Sequence, residues 1–302
     1  MKLNKLCLKD KKVFDRYLAL SIHELAAYSF ANIYIWKALY DIEWVVIANS
    51  LCIFFRDPIG CFMYLPPLTS GKPQLGVIQQ AFVIMDKLNK NKDICRIENI
   101  PQEDLDDYRS FGYIGYEKYP DYLCLRSDLA LFRGNKFKSQ RAAYNYFIKH
   151  YDYALGSLGL GERTDCLDLF NSWIKGRKAQ CNDDVYCGML EDNRKVIKIA
   201  LANYKHLNLE GIVVRVNKEI KAFSFGYRIN RNIFCILYEI TDLAIKGLAP
   251  FIFRKFSQNL KSYQYINIMD DSGIENLRKT KLAYKPARLI GAYIVTCDER
   301  KH

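Results

Sequence analysis

The chain has 302 residues, half of them apolar and about a quarter charged, with a formal net charge of +12. That length suits one large domain or two of ordinary size, and the apolar share excludes an extended, disordered polymer. The positive excess points to a phosphate-bearing partner (tRNA, a coenzyme or an anionic lipid surface), while a simply basic surface would give the same balance.

The first residues, MKLNKLCLKDKKVF, carry lysines but no apolar run long enough for a signal peptide or a membrane span. From Phe14 to Tyr40 the chain is rich in helix formers. The most apolar stretch, Trp44 to Phe55, is interrupted at Asn49-Ser50 and closed by Arg56-Asp57-Pro58. A spanning helix needs roughly 20 apolar residues, so this stretch reads as two buried strands. Glu43–Asn49, Leu51–Arg56 and Gly60–Leu65 form three β-rich runs whose breaks permit only antiparallel neighbours, and Pro66-Pro67 ends the meander. Leu75, Ile78, Phe82 and Met85 recur at helical spacing. A strand over Ile94–Asn99, a short helix over Gln102–Ser110 and strands over Tyr113–Glu117 and Tyr122–Leu125 follow.

The second half repeats this order. Helices are expected over Lys136–Tyr151, Asp165–Arg177 and Glu191–His206, then strands over Gly211–Val216, Ile220–Arg228 and Ile233–Glu239. Next come a helix over Ala249–Leu260, a strand over Tyr265–Met269, a helix over Ile274–Leu282 and a strand over Ala287–Val295. An antiparallel meander followed by a parallel β-α-β return is the element order of the GNAT fold. The expectation is therefore an α+β protein of two tandem GNAT-like domains, 1–130 and 131–302. Each has a mixed, mostly antiparallel sheet flanked by helices, and the candidate site lies in the second.

Ten cysteines are scattered through strand and helix patterns without a CxxC pair, and four histidines are available as co-ligands. Cys181 and Cys187, the closest pair, lack a matching second half. The cysteines read as reduced core thiols with no metal site, which favours the cytoplasm. His23, His150 and His206 stand in no nucleophile–base motif, so direct transfer is the expected chemistry.

Four stretches carry a family resemblance: Glu24–Trp36 with Tyr64-Leu65-Pro66-Pro67-Leu68; Asp121-Tyr122-Leu123 with Asp128-Leu129 and Gly134-Asn135-Lys136-Phe137, running on to Arg141, Asn145 and Phe147; Glu239 with Lys246-Gly247-Leu248; and Tyr265-Ile266-Asn267, Asp271-Ser272-Gly273 and Leu277–Tyr284 with Pro286. From about Ser21 to Val295 the chain resembles the C-terminal domain family of bacterial phosphatidylglycerol lysyltransferases. The resemblance implies paired GNAT folds and transfer of an aminoacyl or acyl group, from aminoacyl-tRNA or an acyl-CoA, to an amine or hydroxyl. Ile268 and Met269 stand where the family usually has Arg and Glu, Gln140 and Ala142 depart around Arg141, and Ile240 replaces a common Lys. These departures motivate the alternative of a non-catalytic binding protein that keeps the double fold.

The family position makes Glu239 the candidate general base, since an attacking amine or hydroxyl must lose a proton. Tyr284 is the second candidate catalytic group. The loop at Lys246, Gly247, Leu248 and Ala249 opens a helix whose N–H groups suit a donor phosphate. Asn267, Asp271, Arg278 and Lys281 form a candidate substrate or anion cluster, with Arg278 and Lys281 three apart on one helix face; Asp271 is equally a helix cap. Lys136, Lys138, Arg141 and Lys149, with Tyr144 and Tyr146 interleaved, form a basic stripe of the kind that binds nucleic acid and that is more often a solvated face.

Overall fold

The computed structural model describes residues 2–180 and 183–297; Cys181, of the closest cysteine pair, lies outside the described residues. The chain runs β1 (Asn4–Lys5), α1 (Lys11–Leu18), α2 (Phe30–Ile35), β2 (Asp41–Ile47), β3 (Ser50–Arg56), β4 (Cys61–Met63), α3 (Leu75–Leu88), β5 (Arg96–Pro101), α4 (Leu105–Ser110), β6 (Tyr113–Glu117) and β7 (Asp121–Leu125). It continues α5 (Arg126–Leu131), α6 (Lys138–His150), β8 (Tyr153–Ser157), α7 (Arg163–Lys178), α8 (Asp184–Ala202), β9 (Glu210–Val216), β10 (Glu219–Arg228), β11 (Ile233–Thr241), α9 (Leu248–Asn259), β12 (Tyr265–Asn267), α10 (Glu275–Ala283), β13 (Arg288–Ile290) and β14 (Ala292–Cys297). Among the described residues no helix is long and apolar enough to cross a membrane, and no cluster of His, Cys, Asp or Glu is placed to hold a metal ion. Most of the described cysteines are buried.

Two compact units form, one from residues up to 121 with 270–273 and the chain from 289, the other from 122–269 with 274–288. The first holds a seven-stranded sheet in the order β1-β2-β3-β4-β5-β14-β6. Ala48 and Asn49 both take positive φ, 42° and 63°, giving the β2–β3 hairpin a turn whose twist matches the strands it joins. The helical spacing of α3 buries Val77, Ile78, Ala81, Phe82 and Met85 against Phe54, Met63, Ile97 and Val295 of the sheet.

The second unit holds a seven-stranded sheet in the order β13-β7-β12-β11-β10-β9-β8. α9 lays Leu248, Phe251, Ile252 and Phe256 on one face of it, in a core shared with Phe137, Tyr144 and Phe147. On the other face Phe170 of α7 packs edge-on to Tyr238, whose hydroxyl donates to Asn193 of α8 at 3.0 Å.

Each sheet contains the antiparallel meander and parallel return expected of a GNAT-like domain, but the closing strands are exchanged. The segment expected to end the first half, β7, pairs with β12 in the second unit's sheet. The segment expected as one strand over Ala287–Val295 breaks at Gly291: β13 borders β7, and β14 inserts between β5 and β6 in the first unit's sheet. The units therefore divide at residue 121 and again near the end of the chain, not at 130/131. Alternation identifies a strand, but it does not say which sheet receives it. Strand β8 was not expected, because Tyr153–Ser157 is an exposed edge without an apolar face.

Candidate functional site

The candidate site surrounds the point in the second sheet where β11 and β12 cease to pair. Parallel pairing of β11 with β12 covers Ile233↔Tyr265, Phe234↔Ile266 and Cys235↔Asn267, after which β11 runs on to Thr241 along β10 alone. A register shift opposite Phe225/Gly226 makes Leu237 an extra residue in β11, and beyond this bulge Glu239 stands directly across from Ser224. Bulges re-aim the side chains that follow them, and here the carboxylate is carried into the stretch that β12 does not flank.

Glu239 Oε2 is buried and makes no hydrogen bond. Burial disfavours the charged form and pushes this carboxyl up to about 8. Tyr284, just past α10, is held well above the ordinary phenol range, first by burial, then by the negative charge of Glu239 and of Cys124. Its ring packs on Phe253 with centroids 4.2 Å apart and on Phe132 at 6.3 Å. The two expected catalytic groups thus share one electrostatic neighbourhood. Near neutral pH each holds its proton.

The loop before α9 is governed by Gly247. It has φ +84°, and a Cβ there would sit 2.1 Å from the Ala143 carbonyl oxygen and 3.2 Å from Phe147 Cβ on α6. The glycine is therefore required by helix packing, independently of any ligand. The Leu248 side chain is fully buried in the core and its N–H turns back to Ile245 O at 3.4 Å, while Pro250 offers no N–H. What this turn leaves to a ligand is the backbone of Gly247 and Ala249 and exposed Lys246, whose ammonium lies 4.7 Å above the Tyr146 ring.

The expected cationic cluster is dispersed. Arg278 is exposed, but Lys281 is buried and donates to the carbonyls of Ile268 and Met269, the latter at 3.1 Å. Residues three apart on a helix differ by about 60° around the axis, and the edge of the buried face of α10 falls between these two. Lys281→Met is expected to destabilise the chain by about 2 kcal/mol, because it strands two buried carbonyls that a charged donor now satisfies. Urea denaturation decides this, and a change below about 0.5 kcal/mol would mean water replaces the ammonium without loss.

Asn267 is fully buried, and its Oδ1 accepts from Met269 N–H at 2.7 Å, holding the turn that ends β12. Asp271 is not the cap of α10, whose N-cap is Ile274; its Oδ1 accepts from Gly273 N–H at 3.0 Å. Arg141 donates to the carbonyls of Phe132 and of Gly134, the second at 2.6 Å, and Lys136 pairs with Asp128 at 2.5 Å. Of the expected basic stripe, Lys138 and Lys149 remain as exposed cations without an ion pair among the described residues. Ser224 was missed by sequence reasoning: nothing in its local pattern marks it, and only the strand register puts it opposite Glu239.

No curated protein matches this sequence. Among solved structures, a conserved protein of unknown function from Bacteroides thetaiotaomicron superposes with a TM-score of 0.88 at 28% identity, covering 99% of this chain and 100% of that one. The structure of L-PGS from Bacillus licheniformis gives 0.66 at 17% identity, covering 96% and 93%. A tandem GNAT protein from the clavulanic acid biosynthesis pathway gives 0.51 at 8% identity, covering 97% of each chain. The family model described as phosphatidylglycerol lysyltransferase, C-terminal, matches residues 20–296. With its strand order, its tandem fold and a family match over nearly its whole length, the chain belongs to the phosphatidylglycerol lysyltransferase C-terminal domain family.

Proposed function

We propose that the second unit transfers an acyl or aminoacyl group from a phosphate-bearing donor, an aminoacyl-tRNA or an acyl-CoA, to an amine or hydroxyl, with Glu239 as general base. The observation that carries this reading is a buried carboxyl oxygen without a hydrogen-bond partner, at the point where β11 and β12 part. An unpaired buried carboxyl is unfavourable for stability, and its pKa near 8 is suited to taking a proton close to physiological pH. Glu239 accepts the proton of the nucleophile as the new C–N or C–O bond forms at the acyl carbon. The bond to the donor's oxygen or sulfur breaks, and Tyr284, kept protonated by its surroundings, supplies the proton to that leaving atom. Lys246 and the backbone at Gly247 and Ala249 face the donor phosphates.

Transfer is to be measured from a panel of acyl-CoA thioesters and aminoacyl-tRNAs. kcat/KM is expected to rise with pH through about 8, following ionisation of Glu239 in the free enzyme, and Glu239→Gln is expected to lower it about 10²–10⁴-fold. Undiminished transfer by the glutamine variant would sink the reading. An acyl-CoA donor is expected to bind saturably and be lost in Lys246→Glu. A tRNA donor is expected to bind with strong salt dependence and weaken when Lys138 and Lys149 are changed to alanine.

One set of observations favours a second reading, a binding protein without catalysis. Arg141, Lys281 and Asn267 all spend polar groups on the chain itself. Saturable binding of one donor with no transfer to any acceptor would establish that reading over the first.

A further inference from the structure

Ser224 lies on β10 with no side-chain exposure, and its Oγ is buried without a hydrogen-bond partner. Buried hydroxyls are ordinarily satisfied, and leaving one unpaired costs about 1–3 kcal/mol. Serine in a strand usually meets this need through a neighbouring carbonyl or a cross-strand side chain. Here the residue directly opposite is Glu239, whose Oε2 is unsatisfied too.

In an antiparallel pair, residues directly opposite project from the same face, with Cβ atoms about 4.5–5.5 Å apart. The face is the one that packs α9: Ala222, two residues before Ser224, belongs to that core, whereas Phe223 and Phe225 stack on each other on the opposite face. Two oxygens so placed, neither bonded to the other, both lack the hydrogen bond that one small polar group held between them would supply. A primary amine can donate to both oxygens. A hydroxyl or a water can donate to the carboxylate and accept from the serine. An aliphatic group satisfies neither.

We infer that Ser224 Oγ and Glu239 Oε2 form a two-oxygen docking point for the nucleophilic amine or hydroxyl of the acceptor, with Ser224 as the positioning residue. The inference rests on the general-base reading of Glu239 and adds what aims the nucleophile at that base. Ser224 holds the attacking atom from the β10 side, so that its proton faces Oε2 and its lone pair faces the gap past the end of the β11–β12 pairing. The gap is where the donor's acyl carbon would enter.

The test has a structural and a kinetic arm on the full chain. A crystal structure of the protein soaked in methylammonium chloride is expected to show a methylammonium nitrogen or an ordered water within hydrogen-bond distance of both Ser224 Oγ and Glu239 Oε2. A dry gap, or Ser224 Oγ turned onto a backbone carbonyl, overturns the inference. In the kinetic arm Ser224→Ala is expected to unfold at the wild-type temperature or above it, since it removes an unsatisfied hydroxyl, yet to lose about tenfold or more in kcat/KM. The pH limb of kcat/KM should stay near 8, because the two side chains do not bond each other in the free protein. The double variant with Glu239→Gln should be no worse than Glu239→Gln alone, a coupling that a merely structural serine would not show. Wild-type transfer by Ser224→Ala overturns the positioning role while leaving the base intact. Wild-type transfer by Glu239→Gln overturns the base, and the soaked structure then still decides the docking point.

Discussion

Gly247→Ala is expected to destabilise the second unit by more than about 3 kcal/mol. Two costs combine. A left-handed backbone at φ +84° disfavours any residue with a Cβ, by roughly 1–2 kcal/mol. The added methyl would also lie 2.1 Å from the Ala143 carbonyl oxygen, a backbone atom in the middle of α6 that cannot swing aside as a side chain can. Relief requires α6 and α9 to separate, which loosens the packing of Tyr144 and Phe147 on Phe251, at centroid distances of 5.5 and 4.5 Å. Equilibrium denaturation measures the loss, and a change under 1 kcal/mol would show that the helices do not approach through this glycine. The consequence for function is practical. A Gly247→Asp protein that fails to bind a donor says little about phosphate recognition, because the fold itself is damaged, whereas Lys246→Glu changes an exposed charge and leaves the packing alone.

Most of the fold was legible because strands of period two and helices of period 3.6 announce themselves locally. The meander before each parallel return followed from breaks too short for anything but hairpins. What stayed hidden was non-local. Nothing in Tyr122–Leu125 distinguishes a strand that ends its own sheet from one that completes the other, and the same holds for Ala292–Cys297. In the candidate site, Glu239 and the Gly247 loop stand out through family position, whereas the carbonyl partners of Arg141 and Lys281 stay hidden for a common reason. Arg141 donates to the carbonyl of Phe132 and Lys281 to that of Met269, and both acceptors are left-handed residues, at φ 51° and 62°. A left-handed residue at the end of a helix or strand turns a carbonyl out of the regular hydrogen-bond pattern, and a nearby cation fills the vacancy. Because neither Phe nor Met favours that conformation, the sequence gives no warning that the acceptor exists, and the cation reads as available to a ligand.

Glu239→Gln is expected to stabilise the protein above about pH 5 by an amount that grows with pH. The sign follows from linkage. In the unfolded chain this carboxyl ionises near 4.5, while in the folded chain burial holds it neutral until about 8. Below 4.5 both states are protonated and the residue contributes no pH dependence. Between the two values the unfolded state has released its proton and the folded state has not. Folding is then penalised by up to about 1.4 kcal/mol for each pH unit. Above 8 both states are ionised and the penalty levels off, at several kcal/mol. Glutamine is close in shape and carries no ionisable proton, so the variant escapes this loss. Denaturation midpoints of the two proteins should coincide near pH 4 and diverge steadily to pH 8. Parallel profiles would mean the carboxyl is solvated in the folded state, and the general-base reading would lose its pKa. A divergence accompanied by lost transfer would identify the instability as one that catalysis maintains, because a buried carboxyl held near 8 is of no use to the fold.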